Sequence, residues 1–594
     1  MCSKLIVLLF IALASPKAFS SKGEAFALSK KWLKLLHYKK TFSGYKSRAT
    51  RPEFFLSPEG RTNPVEELNQ SLKSFRENPN LACRFPARHS LLMENFSLPK
   101  RPACKDLDEW KSSLSAGDLF LVYSTAYPSN PASLFGHTFL RFNRLKHGSR
   151  KSSKLLGYSL AFLAQTNPND NTLVYSLKGL TGGYEGYLEV KPFYMDVGIY
   201  NNSESRDMWE YKIPLTDAQK DRLVFHVWEV LTNTTFTYFF LDENCSTYVL
   251  ELLEAVVPSW NFESKNNLMV VPQVTLKDVV KTVGVHQKEF RPAIKRQIWK
   301  RMDLLSSASV EKVFSAQEDS SGIDDLNSAD ELDLLIDLWK FENYKKTGVL
   351  SLEAKENMNK TLLKRASLEE DSRELRLRGK NEFRSPEYGH DFARLSIGHR
   401  ENPFISLRYG FHSFDDPFIG YDEKSYISFL ELDGEFEDDS LKLDDFKLVE
   451  ITSLQNFSWN YPHFSWNIFA GGRRHRRSDT TPKLLNMKGG FGLSLLRDDW
   501  QSFFFFNAIA HLDTARGESD LNPALEWGFK YSIQESLFIL AEATYEYSFE
   551  EKNPFYGRLS TTYQLYRNIG IRFGAAYFSE GSRFELDSSV NFYY

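Results

Sequence analysis

The chain has little cysteine and no excess of either charge. Its 594 residues include 4 Cys, 74 Lys and Arg, and 77 Asp and Glu, which gives a net charge of −3. This balance argues against a protein that binds nucleic acid, since such proteins carry basic surfaces. No apolar run approaches the roughly 20 residues of a membrane-spanning helix. No cofactor-binding motif or metal-ligand spacing stands out either, so we expect neither a cofactor nor a metal.

The first 20 residues have the pattern of a cleaved secretory signal peptide. Lys4 precedes a ten-residue apolar run, Leu5 to Ala14, and small residues at Ala18 and Ser20 mark a cleavage site. The run is too short to span a bilayer as a mature helix. We therefore expect an exported protein.

Export changes how the three remaining cysteines are interpreted. Cys83 and Cys104 are close enough in sequence to form a local disulfide in an oxidising compartment, within a helical N-terminal module of residues 21–112. Cys245 is then the odd cysteine. One interpretation is a small buried core residue, which is common for free cysteine. The other is a thiol that the protein uses in chemistry.

The sequence around Cys245 favours the second interpretation. An apolar run from Tyr238 to Leu241 predicts a strand, and apolar residues at helical spacing follow from Val249 to Val257. Cys245 would then open a buried helix, where free backbone N–H groups and the helix dipole lower a thiol's pKa. Asn244 could help to form an oxyanion hole, but it could equally be the N-cap of the helix.

His137 is the base that the sequence offers to such a thiol. It follows Phe-Gly and opens a predicted strand in which His137, Phe139 and Arg141 share one face. Further strands are predicted at 156–162, 172–176 and 187–192, and Thr216 with Gln219 predicts a capped helix. Arg141 could bind an anionic head group or pair with an acid.

The C-terminal part, residues 386–594, changes from helical to alternating periodicity. About twelve segments of roughly ten residues, rich in Phe and Tyr, are separated by polar turns. In the last segment Phe584, Leu586 and Phe592 share a face with the terminal Tyr594. A soluble β-sandwich would also alternate. The aromatic content and the export signal favour an outer-membrane β-barrel, and the last segment resembles the signal by which such barrels are recognised for assembly.

Four motifs resemble a known family. The stretches Ser133–His137 with Arg141, Gly182–Gly186, Arg206–Tyr211 and Asp242–Thr247 resemble, in this order, the periplasmic domain of the Lnb family, which is named for a bacterial lipoprotein N-acyltransferase. The resemblance covers residues 113–275. The segment with Trp32, His37 and Cys83–Arg88 resembles a module that accompanies this domain in some proteobacterial members.

The order of His137 before Cys245 also resembles permuted papain-like enzymes, the relatives of NlpC-type peptidases and lecithin–retinol acyltransferases. The resemblance implies Cys245 as nucleophile, His137 as base, and a third group from the next strand, for which Ser159 or Tyr158 is the candidate. Within the motifs, Ser133, Arg141, Tyr158 and Asn244 are candidates for binding substrate.

The predicted fold is therefore α+β. It has a permuted papain-like domain at 113–275 with a helical cap, a helical connector at 276–385 and a C-terminal antiparallel β-barrel of about twelve strands. We expect it in the outer membrane of a Gram-negative bacterium, with the thiol domain in the periplasm.

The resemblance implies acyl transfer through a thioester, with phospholipid as donor and lipoprotein as acceptor. A peptidoglycan-type peptidase or amidase, a barrel whose periplasmic domain only binds a partner, and a porin with a plug-like domain remain alternatives. The oligomeric state stays open.

Overall fold

The computed structural model describes residues 22–127, 133, 135–145, 152–264, 269–347, 351–373, 375, 385–422, 424–459, 462–474, 483–497, 499–513, 518–548, 553–579 and 582–594. The predicted signal peptide lies outside these ranges. No helix among the described residues is long and apolar enough to cross a membrane.

The N-terminal module is helical, with one small hairpin. Its disulfide joins Cys83 to Cys104, as predicted. Its apolar side chains, including Trp32, Phe54 and Phe75, belong to the same buried cluster as Tyr248 and Leu252 of the next domain, so the two parts share one core. The elements are α1 (Lys22–Ala27), α2 (Lys30–Leu35), β1 (Tyr38–Thr41), β2 (Gly44–Ser47), α3 (Pro64–Glu77), α4 (Leu81–Arg84), α5 (Pro86–Met93) and α6 (Lys105–Leu114).

The next domain is built on a seven-stranded antiparallel sheet. Its strand order is β8-β6-β5-β4-β3-β7-β9. Strands β3 and β4 lie in its middle, so His137 begins a central strand. The strands are β3 (Ala116–Ser124), β4 (His137–Leu145), β5 (Ser152–Ala164), β6 (Tyr184–Pro192), β7 (Met208–Ile213), β8 (Phe236–Tyr238) and β9 (Lys288–Arg291).

The helices of this domain confirm one prediction and correct another. The helix after β7 has the predicted capping box of Thr216 and Gln219. The strand predicted at 172–176 is wrong, because Asn171 caps a helix there and Gly182, with a φ of 74°, ends it. The helices are α7 (Thr172–Thr181), α8 (Phe193–Asp196), a π-helix (Val197–Ser203), α9 (Asp217–Asn233), α10 (Cys245–Val256) and α11 (Pro272–Val283).

The connector is a small helical layer, and it has its own core. Ile298, Val313 and Leu335 are among the buried residues of that core. The helical character of the connector is as predicted, but it begins later than residue 276, because α11 packs in the core of the sheet domain and β9 pairs with β7. Its helices are α12 (Ile294–Leu304), α13 (Ser307–Glu318), α14 (Ala329–Thr347) and α15 (Leu352–Ser367).

The C-terminal part is a closed antiparallel barrel of twelve strands, as predicted. The last strand pairs with the first, which removes every open edge. The strands are β10 (Ala393–His399), β11 (Pro403–Tyr409), β12 (Ser425–Glu437), β13 (Ser440–Ser453), β14 (Ser465–Arg474), β15 (Lys483–Leu496), β16 (Trp500–Asp513), β17 (Glu518–Gln534), β18 (Leu537–Glu546), β19 (Phe555–Tyr566), β20 (Ile569–Phe578) and β21 (Arg583–Tyr593).

Side chains alternate along these strands between the two faces of the barrel wall. The outer face is apolar, and the inner face carries buried polar and aromatic side chains. On β16, Phe504 and Phe506 are exposed on the outer wall, whereas Phe503 and Phe505 are buried. The inside holds ion pairs such as Lys488 with Glu526, at 2.7 Å. An outward apolar band on a closed barrel is the form in which strands cross an outer membrane, so the chain is an outer-membrane protein.

The sheet domain packs against the outer wall of the barrel. Phe135, two residues before β4, lies 5.7 Å from Phe411 and 5.5 Å from Phe429 between ring centroids. Ile427 belongs to the same apolar cluster. It pairs with Ile451, which pairs in turn with Ile468 on the exposed outer face of β14. Phe135, two residues before His137, therefore lies beside the outer side of the barrel.

Hydrogen bonds fix this contact. The side-chain amide of Gln273, on α11, donates to the carbonyl oxygens of Pro386 and Gly420 at 3.1 and 2.8 Å. Tyr211 donates to Glu387, which also accepts from Lys288 at 2.8 Å. Polar bonds and buried apolar area together hold the domain in one orientation beside the barrel.

Candidate active site

Cys245 is a free thiol at the first position of a fully buried helix. Among the described residues it is the cysteine that forms no disulfide. Every residue of α10 is buried, because the helix packs between the sheet and the N-terminal module. The strand predicted from Tyr238 to Leu241 is wrong for all but Tyr238, since β8 (Phe236–Tyr238) ends there and residues 239–244 form an irregular loop. The thiol therefore sits where loop, sheet and helix meet.

Asn244 caps this helix. Its side-chain oxygen accepts hydrogen bonds from the N–H groups of Ser246 and Thr247 at 3.0 and 3.4 Å. Its amide group donates to the carbonyl oxygens of Phe240 and Val270 at 3.1 and 2.8 Å. All of these bonds are structural, so the geometry favours the N-cap role over an oxyanion role.

The surroundings of Cys245 are apolar enough to reverse one expectation. Burial raises the pKa of the thiol above its usual value, and hydrogen bonds from Thr138, Tyr238 and Ser246 only partly oppose this. The expectation of a lowered pKa is wrong for this state, because loss of hydration outweighs the helix N-terminus. The resting cysteine is a neutral thiol at neutral pH.

Tyr238 contacts the nucleophile from the end of β8. Its hydroxyl accepts a hydrogen bond from the backbone N–H of Cys245 at 3.2 Å and also interacts with the sulfur. Burial keeps the pKa of this hydroxyl well above its usual value, so it remains a proton donor. The sequence predicts Tyr238 in a strand but indicates no role for it in the site.

His137 lies at the same end of the sheet as Cys245 but on the other face of its strand. The neighbouring Thr138 contacts the thiol, and its hydroxyl is 2.9 Å from that of Ser246. The ring of His137 instead packs against Phe139 and Tyr200, with centroids 5.8 and 5.3 Å away. Its Nε2 is buried and has no hydrogen-bond partner within the described part of the chain. The structure thus places His137 and Cys245 at the same end of the sheet, but no hydrogen bond between them is described.

His137 is neutral in this environment. Burial lowers its pKa to about 3, and the positive charges of Arg206 and Lys191 add to the effect. An imidazole with a pKa of about 3 is only a weak base, and a general base works best with a pKa near the operating pH, so this resting environment does not favour that role.

Tyr200 is a site residue that the sequence did not reveal. It lies on the π-helix, a rare element that often marks functional sites. Its ring contacts that of His137, and a negative charge on Cys245 would raise the pKa of its hydroxyl further above the usual value. Tyr200 is therefore near both predicted catalytic residues. Only its position in the fold, not a sequence motif, identifies it.

Ser159 does not orient His137 in this structure. Its hydroxyl donates to the carbonyl oxygen of Lys191 at 3.1 Å. Lys191 in turn pairs with buried Asp196, 3.1 Å away. Tyr158 points to the opposite side of β5, where it packs against the main core. The third catalytic group stays a prediction.

Arg141 forms a buried ion pair. It lies 2.7 Å from Glu210 on β7, and its guanidinium is stacked over Phe120 and Phe193. Of the two roles left open by the sequence, the geometry favours pairing with an acid. Ser133 contributes its carbonyl oxygen to a turn, where it accepts from the N–H groups of Tyr127 and Gly136.

One further cluster could in principle hold a metal ion. Ligand atoms of His390, His412 and Asp416 lie within 4.8 Å of one another at the base of the barrel. Asp416 already accepts from Arg394 at 2.8 Å and pairs with Arg408 at 2.6 Å. Two guanidinium groups on the only carboxylate oppose a divalent cation there.

Comparisons with known families agree with this division of the chain. Residues 106–282 match the Lnb N-terminal periplasmic domain, so the sheet domain is of the Lnb type. Residues 24–95 and 384–594 match two domains of unknown function, DUF7843 and DUF7840. No curated protein matches the chain.

Solved barrels resemble the C-terminal part only distantly. An outer membrane channel from Pseudomonas putida is 8% identical, with a TM-score of 0.25, covering 36% of this chain and 99% of its own. The KdgM porin in complex with disordered oligogalacturonate is 11% identical, with a TM-score of 0.23 and coverages of 34% and 98%. Outer membrane phospholipase A from Escherichia coli is 9% identical, with a TM-score of 0.23 and coverages of 36% and 94%. Scores this low support no inference about activity.

Proposed function

We propose that this outer-membrane barrel protein, with its Lnb-type periplasmic domain, is a cysteine acyltransferase that works through a thioester. The observation that carries the proposal is the position of Cys245. A free thiol opens a buried helix and contacts Thr138, the residue after His137. Phe135, two residues before His137, packs on the outer wall of the barrel. A free thiol in an exported protein is a liability unless it is used.

The chemistry follows from the groups around the thiol. The sulfur of Cys245 attacks an acyl carbonyl carbon while His137 takes the thiol proton. The carbon–oxygen bond of the donor ester then breaks, and His137 returns the proton to the leaving alcohol. An acceptor amine next attacks the thioester, which forms an amide and restores the thiol.

Phospholipid is the donor class that the location of the site favours. Leu241, four residues before Cys245, and Phe135, two residues before His137, both pack in the apolar cluster on the barrel wall. A lipid that leaves the membrane beside the barrel reaches these loops without crossing open water. An amine at the N-terminus of a lipoprotein is the acceptor class that we propose, and water as acceptor would make the protein a hydrolase.

The base must approach the sulfur when substrate binds. Hydrogen bonds of catalytic groups are often long in unliganded sites and tighten in the complex with substrate. The Nε2 of His137 has no hydrogen-bond partner among the described residues, so it is available to form a new bond when substrate binds.

Trapping the covalent intermediate tests this function. The full chain in detergent micelles is incubated with phospholipid, and Cys245 is examined by mass spectrometry of its tryptic peptide. We expect an acyl adduct that is absent from Cys245→Ala and strongly reduced in His137→Gln. Arg144→Gln, a change of an exposed side chain later on the same strand, is the matched control.

Three results would contradict the proposal. A wild-type thiol that stays free with every phospholipid would exclude this donor. A peptide adduct formed with muropeptides would indicate a peptidoglycan amidase instead. Lipid and lipoprotein profiles of cells that are unchanged by both substitutions would favour a domain that only binds a partner.

A further inference from the structure

The hairpin of the N-terminal module holds the loop that carries the nucleophile. Lys39, on β1, lies 2.8 Å from Glu243, and Arg48, directly after β2, lies 3.2 Å from the same carboxylate oxygen. Glu243 is two residues before Cys245. Two cations from a separate module therefore converge on the loop.

A second anchor lies on the helix itself. The guanidinium of Arg48 also bonds Glu251, which His37 contacts with its Nδ1 at 2.8 Å. Arg48 thus bridges a residue before Cys245 and a residue after it. A bridge of this kind fixes the loop relative to the first turns of α10.

These bonds are shielded from water. The side chains of Arg48 and Glu243 are 15% and 14% exposed, and Glu251 is 7% exposed. Shielded, charge-assisted hydrogen bonds are stronger and less affected by salt than surface pairs. Exposed Lys39 adds a weaker contact.

Hydrogen bonds within residues 239–247 connect Glu243 to the backbone around Cys245. The N–H of Phe239 donates to the carbonyl oxygen of Glu243 at 3.0 Å, and the hydroxyl of Thr247 bonds the carbonyl oxygen of Asp242. These short-range bonds leave the backbone on both sides of Cys245 little freedom. A displacement of about 1 Å at a reacting atom can lower a rate about 100-fold.

We propose that the N-terminal module is a clamp on the nucleophile loop, and that Arg48 is its main positioning residue. The proposal rests on the proposed function only in taking Cys245 as the nucleophile. It gives the module matched by DUF7843 a role in the site rather than in substrate contact.

The first experiment measures the loop without any substrate. Hydrogen exchange is followed by mass spectrometry on peptides covering residues 239–248 of the full chain in micelles. We expect Arg48→Ala to speed exchange in this loop roughly tenfold, as loss of a buried charge-assisted bond would. Lys46→Ala, an exposed lysine on the same hairpin, should exchange like wild type.

The second experiment measures the thiol. Acylation of Cys245 by p-nitrophenyl butyrate is followed in single turnovers at increasing ester concentration. In Arg48→Ala the maximal rate should fall roughly 10- to 100-fold while the half-saturating concentration stays the same, because geometry and not binding is lost. Arg48→Lys should recover part of the rate.

A double-mutant cycle identifies the contact that matters. If Arg48 acts through Glu243, adding Glu243→Gln to Arg48→Ala should slow acylation little further. Faster exchange with unchanged acylation would overturn the clamp, as would unchanged exchange and acylation in Arg48→Ala. If wild type forms no acyl-enzyme, the proposed acyltransfer fails, and the exchange data alone decide whether the hairpin holds the loop.

Discussion

The backbone N–H of Cys245 donates a hydrogen bond to the hydroxyl of Tyr238, 3.2 Å away. This N–H is one of the donors at the start of α10 that have no partner within the helix, and it lies beside the sulfur that would attack a carbonyl. Donors in this position stabilise the oxyanion of a tetrahedral intermediate. If Cys245 is the nucleophile, as proposed, the Tyr238 hydroxyl lies beside this donor, and its own O–H can serve as a second donor.

Removing this hydroxyl should slow acylation. In Tyr238→Phe the sulfur loses a hydrogen bond that lowers its pKa, and the oxyanion loses a donor, so we expect a roughly 10- to 100-fold lower rate with p-nitrophenyl butyrate. Tyr184→Phe is the matched control, since Tyr184 pairs with Tyr238 in the sheet and its hydroxyl bonds Asp170 at 2.7 Å. Equal losses in both variants would mean that the effect is on folding and not on the site.

The protonation state of the resting thiol is testable by alkylation. Burial holds the pKa of Cys245 above its usual value of 9.0, and only the thiolate reacts. The rate constant with iodoacetamide should therefore rise steadily from pH 6 to above pH 9, by about tenfold for each unit. A plateau beginning near neutral pH would contradict this result and would indicate a preformed thiolate–imidazolium pair.

Acid should weaken the periplasmic domain through His137. Its pKa is about 3 in the folded domain against 6.5 for an unperturbed histidine. A group with a lowered folded pKa binds protons more readily when unfolded, so its contribution is intact above pH 6.5 and is lost as the pH falls toward 3. At about pH 5 the loss is roughly 2 kcal/mol.

Limited proteolysis of the full chain at neutral and acidic pH measures this effect. His137→Gln should show a smaller increase in cleavage of the domain at pH 5 than wild type. Buried His226, whose pKa is also lowered, would account for the sensitivity that remains. Exposed His286→Asn should behave as wild type, and an unchanged acid response in His137→Gln would refute the assignment.

The barrel could be predicted from sequence because its signal is local and repeated. Alternation of apolar residues, as from Phe584 to Phe592, needs no knowledge of distant neighbours. The disulfide followed from counting cysteines. The helix at Thr172–Thr181 is the opposite case, because its short apolar run also fits the strand predicted there. Only the Asn171 cap and the Gly182 stop distinguish the helix from a strand.

The site could be predicted only in part, because much of it is set by tertiary contacts. The family motifs identified Cys245 and His137, and both lie at one end of the sheet. The lowered thiol pKa expected from the helix N-terminus was wrong because burial depends on the packing of the whole domain. Neither Tyr200 nor Arg48 could be found from spacing, since a π-helix and a contact between modules leave no periodic signal.

A loop folded into the barrel leads to a prediction about conduction. Between β11 and β12, Phe414 packs on Phe503 inside the barrel at 5.2 Å between ring centroids. Asp415 and Asp416 of the same loop pair with inward arginines, among them Arg572 at 2.7 Å and Arg408 at 2.6 Å. This part of the loop therefore lies inside the barrel, at the end where the sheet domain attaches.

We expect the wild-type protein to show no steady conductance in planar lipid bilayers, because this loop and its ion pairs lie inside the barrel and obstruct it. The double variant Asp415→Asn with Asp416→Asn removes the carboxylate that pairs with Arg408 and weakens the hold on Arg394 and Arg572, which keep Glu431 and Asp587. Loss of these loop contacts should release the loop and produce open-channel events. Asp438→Asn with Asp439→Asn, in the turn between β12 and β13, is the matched control and should stay closed. Steady wild-type conductance that survives Cys245→Ala and His137→Ala would instead make the protein a porin with an attached domain.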